Sequence, residues 1–168
     1  MELKQAIEKR KSIRKFNGRK VSGDELSVIL KAGSLAPSGK NGQPWRFITI
    51  QKDKTLLNSI ADLTVYRDFV KTADCLICVF LDKTQSYNYI KDVQAIGACI
   101  QNMLLTITDI GLGACWIGEI LNRDTFVRRL LELDNSLDLM AVLAIGGTDG
   151  RAYQPSKRMP DTNVLKRL

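Results

Sequence analysis

Apolar side chains recur along this chain with two periods, one typical of helices and one typical of strands. The longest helical pattern covers about residues 88–110, where the repeating apolar positions are Val93, Ile96, Ile100, Met103, Leu104 and Ile107. Further helices are predicted at residues 2–10, from Ser22 onward, at 55–63 and at 125–133. Strands are predicted at residues 45–50, 74–81, 114–118 and 139–145. These elements together predict an α+β or mixed α/β fold.

Two helix starts carry capping residues, and one helix has an unusual surface. Ser22 with Glu25 three residues later forms a capping box, and Asp124 is predicted to cap the helix at 125–133. The helix at 88–110 has small or apolar residues around most of its circumference, which is typical of a helix buried on several sides. We expect a second subunit to cover one side, and the alternative is a central helix wrapped by its own sheet.

A polar loop lies between the second helix and the first strand. Residues 36–45 read Ala-Pro-Ser-Gly-Lys-Asn-Gly-Gln-Pro-Trp, so two prolines fix the backbone at both ends of a set of polar side chains. A connecting loop of ordinary length has no need of such a set. The pattern favours a ligand-binding loop, and the alternative is a structural turn leading into the strand at Trp45.

Length and apolar content indicate a single folded domain. The chain has 168 residues, of which 45% are hydrophobic, and we expect one domain over residues 1–168 with a basic C-terminal arm over about 148–168. No run approaches the roughly 18 apolar residues of a membrane helix. The charged N-terminus has no apolar signal-peptide core, so we expect a cytoplasmic protein without a membrane partner.

The charge balance is basic, with 25 Lys and Arg against 18 Asp and Glu, a net charge of +7. Such a balance is compatible with nucleic-acid binding or with a site for a phosphorylated small molecule. The chain has four Cys and no His, which excludes Ser-His-Asp and Cys-His catalysis and gives no indication of a metal site. We expect Cys75, Cys78 and Cys99 to be buried free thiols.

Three separated segments carry groups suited to a phosphate and a polar ring edge. They are Arg10 to Arg14, Ser38 to Gln43, and Lys157 with Arg158. Arginine forms charge-assisted, often bidentate hydrogen bonds with phosphate. Neither a Walker A pattern nor a Gly-x-Gly-x-x-Gly after a strand is present. A phosphorylated cofactor would therefore be held by side chains.

Four motifs resemble the nitroreductase family of FMN-dependent oxidoreductases. In chain order they are residues 10–16 (Arg-Lys-Ser-Ile-Arg-Lys-Phe), residues 36–45, residues 111–118 (Gly-Leu-Gly-Ala-Cys-Trp-Ile-Gly) and residues 157–160 (Lys-Arg-Met-Pro). The first two are the diagnostic ones. The resemblance implies an α+β nitroreductase-like fold, with a central, mainly antiparallel sheet flanked by helices. It also implies a homodimer with FMN at the subunit interface.

The resemblance also assigns roles to individual residues. Arg10 is similar to the family's phosphate-binding arginine, Ser12 to its hydroxyl partner, and Arg14 to the cation near the pyrimidine edge of the flavin. Ser38, Gly39 and Asn41, backed by Pro37, would contact the FMN of the other subunit. Residues 115–118 would line the ring near N5 and offer backbone donors there. The full set implied for the cofactor is Arg10, Lys11, Ser12, Arg14, Pro37, Ser38, Gly39, Asn41, Cys115, Trp116, Ile117, Gly118, Lys157 and Arg158.

The chemistry that the resemblance implies belongs to the flavin. FMN would take a hydride from NADH or NADPH at N5 and reduce a nitroaromatic, a quinone or a related small acceptor by a ping-pong mechanism. No protein acid or base is required, so no catalytic residue is predicted. Glu119 follows a segment in which longer family members carry an acidic residue, which leaves its role open.

Two other functions remain open on the sequence. The first is another reaction of the same FMN superfamily: dehalogenation, flavin destruction or dehydrogenation. The second is a basic module that binds nucleic acid without catalysis. Against that module, aromatic residues make up only 7% of the chain and do not alternate with basic ones. We therefore expect no nucleic-acid partner.

Overall fold

A computed structural model describes residues 1–149 and 158–159 of this chain. Its helices are α1 Leu3–Lys9, α2 Gly23–Ser34, α3 Lys54–Ala61, α4 Arg67–Val70, α5 Tyr89–Asp109 and α6 Asp124–Leu130. Its strands are β1 Trp45–Ile50, β2 Cys75–Asp82, β3 Leu112–Ile117 and β4 Leu137–Gly147. Short 3₁₀ helices occur at Gly39–Asn41, Lys83–Gln85 and Glu119–Arg123. Each predicted helix and strand is present, with its ends within a few residues.

The four strands form one antiparallel sheet in the order β1-β2-β4-β3. β2 and β4 occupy its centre, and every residue of β2 is buried. Side chains from alternate positions enter two separate cores, so Cys75 lies in one and Cys78 in the other. Both are free thiols, as is the buried Cys99 of α5. The predicted α+β fold and the predicted buried thiols are confirmed.

Helix α5 packs one face against α2 and the sheet and leaves the other face open. Its buried positions include Ile96, Ile100 and Met103. On the open face, Ile90 is 71% exposed and Val93 is 37% exposed. A Cβ added at Gly97 would meet no atom within 4 Å. The chain's own sheet therefore covers half of this helix, and nothing in the described part of one subunit covers the rest.

Of three predictions about helix ends, the capping box at Ser22 is confirmed, whereas the Asp124 cap and the end of α6 need correction. The capping box at Ser22 is present, with its hydroxyl accepting from Glu25 N–H and the Glu25 carboxylate accepting from Ser22 N–H. Asp124, however, is the first residue of α6 and makes no side-chain cap. Its carboxylate pairs with Arg128 at 2.6 Å and accepts from Leu139 N–H at 2.9 Å. α6 also ends at Leu130, near Glu132, whose φ of 55° is left-handed.

A buried carboxylate attaches the segment after α1 to the sheet. Asp74 accepts hydrogen bonds from Val21 N–H and Gln51 Nε2, both at 2.8 Å, and pairs with Lys20 Nζ at 2.9 Å. Burial by itself raises the pKa of Asp74, but these hydrogen bonds outweigh it and hold the pKa below its ordinary value. The ionised form is therefore favoured in the folded chain.

We expect Asp74→Ala to lower the free energy of unfolding at pH 7 by about 1–3 kcal/mol, because it leaves a buried N–H and an amide without their acceptor. Because the folded-state pKa is depressed, this stabilisation is present above the unfolded pKa and is lost as pH falls through the folded pKa. Urea unfolding at pH 7 and pH 3.5 tests it, with the exposed Asp68→Ala as control. If the free energy of unfolding of Asp74→Ala differed from that of the wild type by the same amount at both pH values, the expectation would be contradicted.

Candidate functional site

The segment after α1 lies along the edge of the sheet and carries the first predicted motif. Ile13 N–H donates to the Ala114 carbonyl at 2.8 Å, and Ser12 forms a parallel bridge with Ala114. Further along, Asn17 N–H donates to the Gly147 carbonyl at 3.0 Å. The approach is close, since a Cβ on Gly147 would lie 2.3 Å from Asn17 Oδ1. These contacts fix Arg10, Ser12 and Arg14 beside β3.

A cleft of about 370 Å³ opens next to this segment, between α1, α5 and β3. The described residues that line it are Ile7, Arg10, Ser12, Gln101, Leu104, Ala114, Trp116 and Arg158. A second cavity of about 420 Å³ shares Arg10, Leu104 and Ala114 with it and also contacts Lys11 and Thr108. The two adjoin each other, and their size is in the range of small-molecule sites.

Two arginines that line the cleft, Arg10 and Arg158, have no carboxylate partner among residues 1–149 and 158–159, and the same holds for Arg14 on the adjoining segment. Arg10 is half-buried, whereas the other two are exposed. Cations gathered without counter-charges are suited to an anion with several oxygens, such as a phosphate. Lys157, predicted to assist Arg158, lies outside the described residues.

β3 presents alternate side chains to the cleft and to the core behind it. Ala114 and Trp116 face the cleft, and Trp116 is 41% exposed. Cys115 and Ile117 are buried in the core on the other face of the sheet. Of the predicted ring-lining residues, Trp116 alone brings its side chain into this cleft among the described residues. Exposed Gly118 follows the end of β3, and its carbonyl accepts a hydrogen bond from Leu121 N–H at 3.2 Å.

The pKa of the Cys115 thiol indicates that the first motif lies close to β3. Burial raises the pKa of Cys115, and the positive charge of Arg14 and a hydrogen bond with Ser12 oppose the rise. Ser12 and Arg14 are therefore on the same side of their segment, as the alternation of residues 11–16 predicts. A raised pKa favours the protonated thiol.

The polar loop at residues 36–43 is anchored at both ends. Ala36 N–H donates to the Gly33 carbonyl at 3.1 Å, and the Pro44 carbonyl accepts from Asp82 N–H at 2.7 Å. Inside the loop, Ser38 Oγ accepts from Gln43 N–H at 3.0 Å. Pro37 and Asn41 are exposed, and Ser38 and Gly39 are half-buried.

Within one subunit, the loop is remote from the cleft. Gly39 lies against Tyr87, just before the start of α5. The cleft lies near Leu104, which is about 22 Å further along the helix at 1.5 Å per residue. Among the described residues that line the two cavities, none comes from this loop. The structure therefore brings together the Arg10 and Trp116 segments with Arg158, but not the loop.

Two features were not placed by sequence reasoning. Gln101 and Leu104 line the cleft from α5, and no local signal in the sequence distinguishes them from the other polar and apolar residues of that helix. Glu119 accepts hydrogen bonds from Thr64 Oγ1 at 2.7 Å and from Val65 N–H at 3.3 Å. It thus connects the end of β3 to the turn before α4.

No helix among the described residues combines the length and the apolar content needed to cross a membrane.

Comparison with known sequences gives one consistent result. The model of the nitroreductase family matches residues 7–65 and 61–147. A protein of Archaeoglobus fulgidus named as an NADH dehydrogenase/NAD(P)H nitroreductase is 31% identical over 140 residues, which cover 82% of this chain and 80% of that protein. The iodotyrosine deiodinase of Thermotoga neapolitana is 26% identical over 183 residues, which cover 95% of this chain and 93% of the deiodinase.

Solved structures agree with the sequence comparison. A nitroreductase from Desulfovibrio desulfuricans, crystallised in complex with FMN, superposes with a TM-score of 0.93 at 39% identity, covering 100% of this chain and 97% of that one. The NADPH:FMN oxidoreductase of Vibrio harveyi, complexed with NAD⁺, superposes with a TM-score of 0.88 over 98% of this chain and 76% of that one. At 21% identity it shows a shared fold alone. On its sequence pattern, its full-length relatives and its fold, this chain belongs to the nitroreductase family.

Proposed function

We propose that this chain is an FMN-dependent oxidoreductase that takes electrons from NADH or NADPH and reduces a small acceptor. The observation that carries the proposal is that two arginines, Arg10 and Arg158, the hydroxyl-bearing Ser12 and the exposed Trp116 line one cleft. A relative of 39% identity and nearly equal length was crystallised with FMN. Because cations and an aromatic surface suit a phosphorylated ring system, the residues present fit this cofactor.

Arg10 and Arg158 would hold the phosphate, because both line the cleft and both lack a carboxylate partner in the described part of the chain. Ser12 would donate its hydroxyl to the phosphate or the ribityl chain. Arg14 would stand near the pyrimidine edge, where a cation stabilises the negative charge of a reduced ring. Trp116 would exclude water from one side of the flavin ring.

When bound, FMN supplies the redox chemistry, accepting a hydride from NAD(P)H at N5 and then reducing a nitroaromatic, quinone or related acceptor in a ping-pong sequence. The chain's own residues bind, orient and neutralise charge. No side chain of the described residues has to move a proton in this scheme, which agrees with the absence of His from the sequence.

The site we propose is shared between two copies of the chain. The open face of α5 supplies an apolar surface for a second subunit. The loop carrying Ser38, Gly39 and Asn41 lies at the other end of α5 from its own cleft, so a partner packed against α5 is the means by which it reaches a cofactor. This accounts for the two separated halves of the predicted site.

A second candidate reaction is reductive dehalogenation on the same cofactor. The relative that favours it is the iodotyrosine deiodinase, which matches nearly the whole chain. Both reactions would draw electrons from the same reduced flavin and would differ in the acceptor. The same purified protein can therefore be assayed for both.

The test is the visible absorbance of the purified protein, before and after anaerobic addition of FMN and then NAD(P)H. We expect flavin bands that bleach with the nicotinamide, after which nitroaromatics, quinones and iodotyrosine are compared as acceptors. Bands that do not bleach would contradict NAD(P)H as donor. A protein that binds no FMN even in excess would overturn the proposal and reopen nucleic-acid binding.

A further inference from the structure

Tyr87, in the short segment between β2 and α5, covers the backbone of the polar loop. A Cβ placed on Gly39 would lie 2.1 Å from Tyr87 Oη and 2.4 Å from Tyr87 Cε1. Real Cβ atoms do not approach other atoms so closely, so the ring occupies the space that a side chain at position 39 would fill. Lys40 Nζ also lies 5.0 Å from the centre of the Tyr87 ring, within cation–π range.

The loop under this ring has a strained backbone. Lys40, Asn41 and Gln43 all adopt left-handed φ values, of 53°, 55° and 47°. Only glycine adopts this region without cost, and Asn tolerates it better than Lys or Gln. Strained residues persist when the surrounding structure holds them in place. The hydrogen bond from Gln43 N–H to Ser38 Oγ is one such restraint, and the Tyr87 ring is a second.

The backbone of Tyr87 is itself held in place by the buried carboxylate of Asp92. Asp92 is 1% exposed, in the first turn of α5. Its carboxylate accepts from Ser86 Oγ at 2.7 Å, from Tyr87 N–H at 3.1 Å and from Asn88 N–H at 3.2 Å. A buried carboxylate with three donors from consecutive residues holds that segment rigid. The Tyr87 ring therefore packs against the loop from a backbone that is held in place. Tyr87 itself is 40% exposed.

We propose that Tyr87 is a positioning residue for the cofactor site, holding residues 38–41 in the conformation in which they reach the FMN of a second copy. The inference rests on the proposed function and extends it to a residue outside the cleft. Tyr87 acts through Gly39 and Lys40 and does not line either cavity near Arg10.

The first experiment measures the Kd for FMN of the intact protein and of Tyr87→Ala and Tyr87→Phe. We expect Tyr87→Ala to raise the Kd about tenfold, since the loop loses its preorganisation. Tyr87→Phe keeps the ring over Gly39 and should stay within about twofold. The matched control is Tyr89→Ala, because Tyr89 is 51% exposed and its side chain is hydrogen-bonded with Asp138 and not with the loop.

The second experiment uses mixed dimers of Tyr87→Ala and Arg10→Ala subunits carrying different affinity tags. A loop that serves the other copy leaves one intact site per mixed dimer, formed by the cleft of the Tyr87→Ala subunit and the loop of its partner. We expect half of the sites to bind FMN with wild-type affinity. A role in general stability would instead weaken both sites and lower the melting temperature of the flavin-free protein.

The outcomes separate the two proposals. A wild-type protein that binds no FMN overturns the proposed function and this inference together. A wild-type protein that binds FMN, with an unchanged Kd in Tyr87→Ala, overturns this inference alone. Mixed dimers without any site of wild-type affinity would show that the ring does not act on the other copy's site, which also overturns it.

Discussion

Arg10→Ala is expected to raise the Kd for FMN about ten- to a hundredfold, because a charge-assisted hydrogen bond contributes roughly 1.5–3 kcal/mol. Arg10 is half-buried, lines both adjoining cavities and has no carboxylate partner among the described residues. Arg158→Ala should have the same direction with a smaller effect, because this side chain is exposed. Fluorescence titration of the flavin-free protein gives both values.

Riboflavin separates a phosphate contact from a general loss of structure. It has the ring and ribityl chain of FMN without the phosphate, so its Kd should be the same in wild type and Arg10→Ala. Arg129→Ala is the matched control, since it removes an exposed arginine from α6, away from the cleft. Equal losses of FMN and riboflavin affinity in Arg10→Ala would remove the phosphate assignment, as would unchanged FMN affinity in both arginine variants.

Gly97→Glu is expected to convert a dimer into a monomer and to abolish FMN binding at the same time. Within one subunit a side chain at position 97 has open space around it. Replacing the half-buried Gly97 also removes a destabilising residue from a helix interior, worth roughly 0.5–1 kcal/mol relative to alanine. The fold of the single chain should therefore tolerate the change, whereas a partner packed on this face would meet a buried, unpaired carboxylate.

Analytical ultracentrifugation with absorbance detection of the flavin measures both effects in one run. The control is Asn58→Glu, which places the same charge on an exposed position of α3, where we expect no partner. A Gly97→Glu monomer that still carries flavin would contradict the shared site. A dimer of unchanged stability would contradict α5 as the interface.

The elements of this fold are largely readable from local patterns. β1 was predicted at residues 45–50 and is observed at Trp45–Ile50, because alternating β-branched and aromatic residues have a short, unambiguous period. α5 is predicted at 88–110 and spans Tyr89–Asp109, because its apolar residues repeat at helical spacing over that length. α4 was not predicted, since four residues are too few for a helical period to show.

Errors arose where a long-range contact replaced a local one. Asp124 has the sequence of an N-cap, but its carboxylate is taken by Arg128 and by Leu139 N–H of β4. That residues 115–118 line the ring near N5 with their backbone groups stays a prediction, and the strand turns the side chains of Cys115 and Ile117 away from the cleft. Local propensity is a weak guide wherever a tertiary partner offers a better hydrogen bond or a buried position.

The sequence by itself determined the longer helices, the strands and the buried thiols, because these depend on residue type and short periodicity. The residues assigned to a phosphorylated flavin follow from the motif resemblance and stay a prediction. Only the tertiary structure decided which of those residues meet. It gathers Arg10, Trp116 and Arg158 on one cleft while placing Gly39 near the opposite end of α5. The physical reason is that convergence depends on how the sheet and α5 pack, and contacts between distant residues leave no periodic signal in the chain.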